Sequence, residues 1–155
     1  MKKTGVSVAI LVLLLMMGVA AGAGSFTFFY ANGASYLSND PKACANCHIM
    51  QDQYDSWQKG GHHTFATCND CHVPHDLVGK YLTKADNGYH HSVAFTFGGF
   101  HEPIRMRPQS RAIVEQNCLA CHGSFVSAVA QAAGHDSQAS DCLRCHQSAG
   151  HGPRK

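Results

Sequence analysis

CANCHIM, Cys44 to Met50, decides how the rest of the chain is read. Its first five residues form the CxxCH pattern through which a c-type haem is attached covalently. Met50, two residues past His48, is a second side chain able to bind iron. The pattern returns as CNDCH (68 to 72), CLACH (118 to 122) and CLRCH (142 to 146), and the four copies use all eight cysteines. CxxC pairs also build disulfides in exported chains and zinc sites of four thiolates. Neither use explains a histidine after every pair, when histidine fills only 12 of 155 positions. The pattern points to four covalent haems, held by Cys44, Cys47, Cys68, Cys71, Cys118, Cys121, Cys142 and Cys145.

The chemistry requires this spacing. Two sulfurs on one turn bond to the porphyrin edge, and the adjacent histidine is carried under the ring towards the iron. His72, His122 and His146 are therefore expected as proximal ligands. Four haems shared among residues 32–155 leave too little chain for a conventional core. The expected fold is mostly α with extensive loops, a compact tetrahaem cytochrome c domain whose haems form the core. The motifs begin at 44, 68, 118 and 142, at intervals of 24, 50 and 24 residues. The repeated interval suggests a duplicated two-haem unit, 44–72 and 118–146.

The N-terminus sets the compartment. After Lys2 and Lys3 no charged residue occurs from Thr4 to Asn39. Val6 to Val19 would fit the apolar core of a signal peptide, and AGA at 21 to 23 resembles a cleavage site. The apolar run resumes as FTFFYA, however, so that Gly5 to Ala31 is long enough to cross a bilayer. Phe26, Phe28, Phe29 and Tyr30 then form an aromatic belt at the far interface. Residues 1–31 are read as a cytoplasmic tip and uncleaved transmembrane anchor, and 32–155 as the exported haem domain. With Lys2 and Lys3 set aside, the 12 Lys and Arg fall to 10 and match the 10 Asp and Glu. No basic run supports nucleic-acid binding.

Between the motif pairs, Asp76 to Asp86 reads as a short amphipathic helix with Leu77, Tyr81 and Leu82 apolar. Lys80 and Lys84 share one stripe of it, as a plain solvated face would also have them. SVAFTFGGF is too short to cross a membrane and either packs on haem or lies at the lipid interface. Ser110 to Asn117 reads as a helix leading into the third motif. Eight histidines lie outside the motifs: His62, His63, His75, His90, His91, His101, His135 and His151. They outnumber the open iron faces, so some must hydrogen-bond a propionate or a backbone group. His63 lies five residues before Cys68, and His151 five after His146. His75 is tethered too tightly to His72 to share its iron.

Taken together, CANCHIM, GHHTFATCNDCHVPH, KADNGYHHSVAFTFG, EPIRMRP and CLRCHQSAGH resemble the NapC/NirT family of membrane-anchored multihaem quinol dehydrogenases. Within it they look most like members that serve a pentahaem cytochrome c nitrite reductase. The resemblance implies one transmembrane helix in the bacterial cytoplasmic membrane and a periplasmic tetrahaem domain. That domain takes electrons from menaquinol and passes them to the pentahaem catalytic subunit within a larger hetero-oligomer. It further implies Met50 as axial ligand of the first haem in place of His48, which competes with it for one face. His63 and His151 match distal ligands of two inner haems, whose proximal ligands include His72 and His122. His146 serves the last haem, whose other face a lysine of the partner fills. Lys84 matches a lysine near the quinol pocket. His91 stands where some relatives have aspartate, which leaves it open as sixth ligand, proton acceptor or quinol contact.

Three other readings stay in view: the same module serving another reductase such as periplasmic nitrate reductase, a haem relay or anchor without quinol chemistry, and a multihaem reductase in its own right. The last has little chain with which to enclose a polar substrate.

Overall fold

The computed structural model of the chain describes residues 7–133 and 141–152. His135, Lys2 and Lys3 lie outside them. The chain divides into two compact units, Met1–Ser35 and Tyr36–Lys155.

The first unit is built on helix α1, Val8–Tyr30. It is apolar on every side, and all its side chains are exposed, the pattern of a helix solvated by lipid rather than packed in a protein. Its 23 residues span about 34 Å at 1.5 Å per residue, enough for a hydrocarbon layer of about 30 Å. The AGA at 21 to 23 lies inside the helix without a break. Near its end Phe26 and Tyr30 stack with ring centroids 5.7 Å apart.

The second unit is helical. Four short elements carry or flank the early motifs: α2 (Pro41–Cys44), a single 3₁₀ turn at His48–Met50, α3 (Gln51–Gln58) and α4 (Cys68–His72). Two long helices follow, α5 (Leu77–Phe97) and α6 (Pro108–Ala133), and then one turn, α7 (Cys142–Cys145). Helix α6 is the spine, with α4 packed on one part of it and α7 on another.

The long helices exceed the sequence expectation of short pieces. The helix expected to stop at Asp86 continues through DNGYHHSVAFTF to Phe97. Asp-Asn-Gly reads as a turn because Asp and Asn side chains compete for backbone hydrogen bonds. Here Arg107 occupies both, bonding the Asp86 carboxylate and donating to Asn87 Oδ1 at 2.8 Å. The helix starts on Asp76, which accepts from the Gly79 N–H at 2.7 Å, an N-cap. It ends at Gly98 and Gly99, whose φ of 77° and 88° suits glycine best. SVAFTF is thus the last part of α5. Likewise the helix expected over Ser110–Asn117 begins at Pro108, a favoured first position, and carries the third motif in mid-course.

Among the described residues the only buried apolar side chains are Val73 and Val114. A unit of this length normally buries far more. Its polypeptide does not make a core by itself, in keeping with a fold organised around attached cofactors.

Candidate functional site

The four motifs form a series. The Cys44 and Cys68 side chains lie within hydrogen-bonding reach of each other. Cys71 lies close enough to Cys121 for their charges to interact, and Cys118 reaches Cys142. The attachment points therefore run first, second, third, fourth. Among the described residues, which include every cysteine, no disulfide forms. Nor do three His, Cys, Asp or Glu side chains converge as a metal-ion site there.

Two histidine pairs test whether the residues suit haem iron. The His72 and His151 rings have centroids 5.9 Å apart, and those of His62 and His122 6.0 Å. Imidazoles binding one metal from opposite sides, with bonds of about 2.0–2.1 Å, place their centroids roughly 6 Å apart. In each pair the non-motif histidine is anchored through Nδ1: His151 on the Gln53 carbonyl at 3.0 Å and His62 on the Ala149 carbonyl at 3.0 Å. As donors at Nδ1 they keep Nε2 free to bind metal, the usual outer-shell arrangement. The His72 imidazole is held down at about 4, first by desolvation and then by His151. At neutral pH it is therefore in its neutral, ligand-competent form. The residues fit the group.

The close approach of the C-terminal segment makes both anchors possible. A Cβ on Gly60 would meet the Gly150 and Trp57 carbonyls at 3.2 Å, so this crossing suits glycine.

The structure brings other expected residues to different places. His63 lies beside His62, with its ring 6.0 Å from Trp57 and its Nδ1 at 3.3 Å from the Gly60 carbonyl, and it does not face a motif histidine. His75 donates from Nε2 to the Asp70 carbonyl at 3.0 Å, a backbone duty. His146 is exposed, with no ring against it among the described residues. His48 is exposed and Met50 half-buried on their 3₁₀ turn. With three residues per turn, the two side chains diverge.

Lys84 and His91 stand on the same face of α5, two turns apart, beside the first motif. Lys84 is the one buried charged side chain among the described residues. Its ammonium donates to the Ser38 carbonyl at 2.6 Å and Asn39 Oδ1 at 3.3 Å. Desolvation, aided by Lys80 and opposed by Cys44, holds its pKa below the ordinary lysine value. His91 is also held below its ordinary value, chiefly by desolvation, then by Arg107 and His90, with Asp86 opposing. Its Nδ1 lies 2.9 Å from the Tyr36 hydroxyl.

Several supporting residues carry no signature in the sequence. Asn69, inside the second motif, donates to Asn39 Oδ1 at 3.0 Å and so steadies the oxygen that holds Lys84. Asn117 donates to the Cys71 and Val73 carbonyls at 3.0 and 2.8 Å, tying α6 to the second motif. Glu115 accepts from the backbone N–H groups of Cys142 and Leu143 at 2.9 and 3.0 Å. Arg111 bonds Asp141, the residue that opens α7.

Comparison with known proteins follows this geometry. A model of the NapC/NirT cytochrome c family, N-terminal region, matches residues 4–155. The chain is 41% identical over 127 residues to the cytochrome c-type protein NrfH of Wolinella succinogenes, covering 76% of this chain and 72% of that one. It is 35% identical over 92 residues to the cytochrome c nitrite reductase subunit NrfH of Nitratidesulfovibrio vulgaris, covering 59% and 57%. With the cytochrome c-type protein NapC of Escherichia coli it shares 26% over 141 residues, covering 74% and 69%. Among solved structures it is similar to a chain from a crystal structure of the cytochrome c nitrite reductase NrfHA complex bound to the HQNO inhibitor. There the TM-score is 0.61 and the identity 26%, over 93% of this chain and 92% of that one.

Proposed function

Because the chain belongs to the NapC/NirT cytochrome c family, we propose that it oxidises menaquinol at the membrane surface and passes the electrons to a cytochrome c nitrite reductase. It is a membrane-anchored electron-transfer subunit of the NrfH type, carrying several covalently bound c-type haems. We assign four, one to each motif. The catalytic partner, which reduces nitrite, is a pentahaem subunit, and the two assemble in a larger hetero-oligomer.

The observation that carries the reading is the pairing of Lys84 and His91 beside the first motif. Quinol oxidation releases two protons with its two electrons, so its site needs groups that take protons near pH 7. His91, held below the ordinary histidine value, is neutral there and able to accept one. Lys84 spends two of its three N–H donors on Ser38 and Asn39, which leaves one for a quinol oxygen. Its burial loosens that proton. A bound c-type haem supplies one-electron storage and transfer.

Met50 is assigned to the first haem, where a thioether gives a higher potential than a second imidazole. His72 and His151 are assigned to the second haem. The third takes His122 and one member of the His62–His63 pair: family likeness favours His63, while ring geometry favours His62. His146 is assigned to the fourth, whose other ligand would be a lysine of the partner.

The test is electron transfer by the purified holoprotein. A menaquinol analogue is expected to reduce its haems, and nitrite reductase with nitrite is expected to reoxidise them. Haems that accept electrons from dithionite but not from the quinol analogue would leave only a relay or anchor. Reoxidation by periplasmic nitrate reductase instead would favour the NapC-like alternative.

A further inference from the structure

We propose that Tyr36 is a positioning residue for His91, holding the imidazole by Nδ1 so that Nε2 is the atom offered to a quinol hydroxyl. The inference rests on the quinol-oxidising reading and adds a residue to it. The Tyr36 hydroxyl and His91 Nδ1 are 2.9 Å apart across 55 residues of chain, with ring centroids at 6.3 Å and planes at 47°. The tyrosine ring lies over α5 at Gly88, where an added methyl would meet it at 3.5 Å, an ordinary contact. Tyr36 is thus fixed from two sides, by packing one turn before His91 and by the bond to His91 itself.

The segment around Tyr36 serves both proton-handling side chains. Tyr36 holds His91, while Ser38 and Asn39 hold Lys84. Seven residues of helix separate Lys84 from His91, about 10 Å along one face. A short stretch just beyond the anchor therefore sets the spacing and orientation of the two groups that face a quinol.

The direction of the Tyr36 bond decides the chemistry. Burial pushes the phenol up, so it stays neutral; a neutral phenol can donate or accept, and the tautomer assigned is the one in which it accepts from Nδ1–H. With Nδ1–H donating to that oxygen, Nε2 of neutral His91 is unprotonated. Proton transfer then breaks the quinol O–H and forms an N–H bond at Nε2, and the electron given up would pass to a bound c-type haem. The resulting imidazolium keeps a charge-assisted bond to Tyr36. The other groups around it are Asp86 and His90 on α5 and Arg107 ahead of α6.

The test uses the haem-loaded, detergent-solubilised full chain and its Tyr36→Phe variant, which retains the ring over Gly88. Diethylpyrocarbonate acylation of His91, followed against pH by peptide mass spectrometry, reads its titration directly, with His90 as internal control. The midpoint for His91 is expected to fall by roughly half to one pH unit. Menaquinol-analogue oxidation is expected to lose roughly 3- to 10-fold in kcat with KM little changed, the size of one hydrogen bond. A variant with normal haem spectra and an unchanged His91 titration and kcat overturns the positioning role while leaving quinol oxidation intact. Wild-type protein that oxidises no quinol overturns both.

Discussion

The two motif pairs share a 24-residue interval and one contact, the first cysteine of one motif against the first cysteine of the next, Cys44 with Cys68 and Cys118 with Cys142. Their mountings differ. The first pair sits on separate short turns joined by a polar hub, in which Ser38 and Asn39 receive both Asn69 and Lys84. The second pair is fixed to one long helix: the third motif lies within α6, and Glu115 and Arg111 of α6 clamp the fourth. One arrangement of attachment points is thus reached by two scaffolds. The hub leaves a donor of Lys84 available for chemistry, whereas the clamp ties its charges to one another.

The comparison breaks first at Lys84. Lys84→Met keeps the length of the buried side chain and removes its proton-bearing group. Menaquinol-analogue oxidation is expected to fall about 100-fold or more, the scale of one acid–base group, with haem content unchanged. Activity within a few-fold of wild type would reduce the hub to a structural device.

A middle-sized effect belongs to the ligands between the two mountings. His151→Ala is expected to turn one haem, and only one, from low spin to high spin in optical and electron paramagnetic resonance spectra. His62→Ala and His63→Ala are made separately. The variant that converts a haem names the partner of His122 and decides between ring geometry and family likeness.

The smallest effect lies at the clamp. Arg111 holds the Asp141 carboxyl below its usual range, so this contribution is complete above the unfolded value of about 3.9. It fades as pH falls through the lower folded value. Asp141 is exposed, which keeps the effect modest and screened by salt. Arg111→Gln should lower the thermal midpoint slightly at pH 7 and less at pH 3. An equal difference at both pH values would show that Arg111 acts through something other than this ion pair.

What the sequence made legible follows from the kind of constraint. Covalent attachment leaves a fixed local spacing, so the motifs, the membrane helix and the helical class could be read directly. The extent of α5 could not, because Arg107 cancels the turn signal of Asp86 and Asn87 from 21 and 20 residues away. Tyr36, Asn39 and Asn69 were invisible for a similar reason. Tyr36 and Asn39 act on groups 55 and 45 residues away, and no local period records such a partner. Lys84 and His91 were found through family likeness, while the hydrogen bonds that hold them came from the fold. His62 was visible as a candidate, but family likeness placed His63 ahead of it.

The scarcity of buried apolar side chains, Val73 and Val114 among the described residues, bears on how the protein is made. Without a hydrophobic interior to hold it, the exported chain acquires stability in instalments, each attached cofactor supplying packing surface for its neighbours. Maturation and folding are then a single process. A chain that misses one attachment is expected to be more open to proteolysis than the fully loaded one.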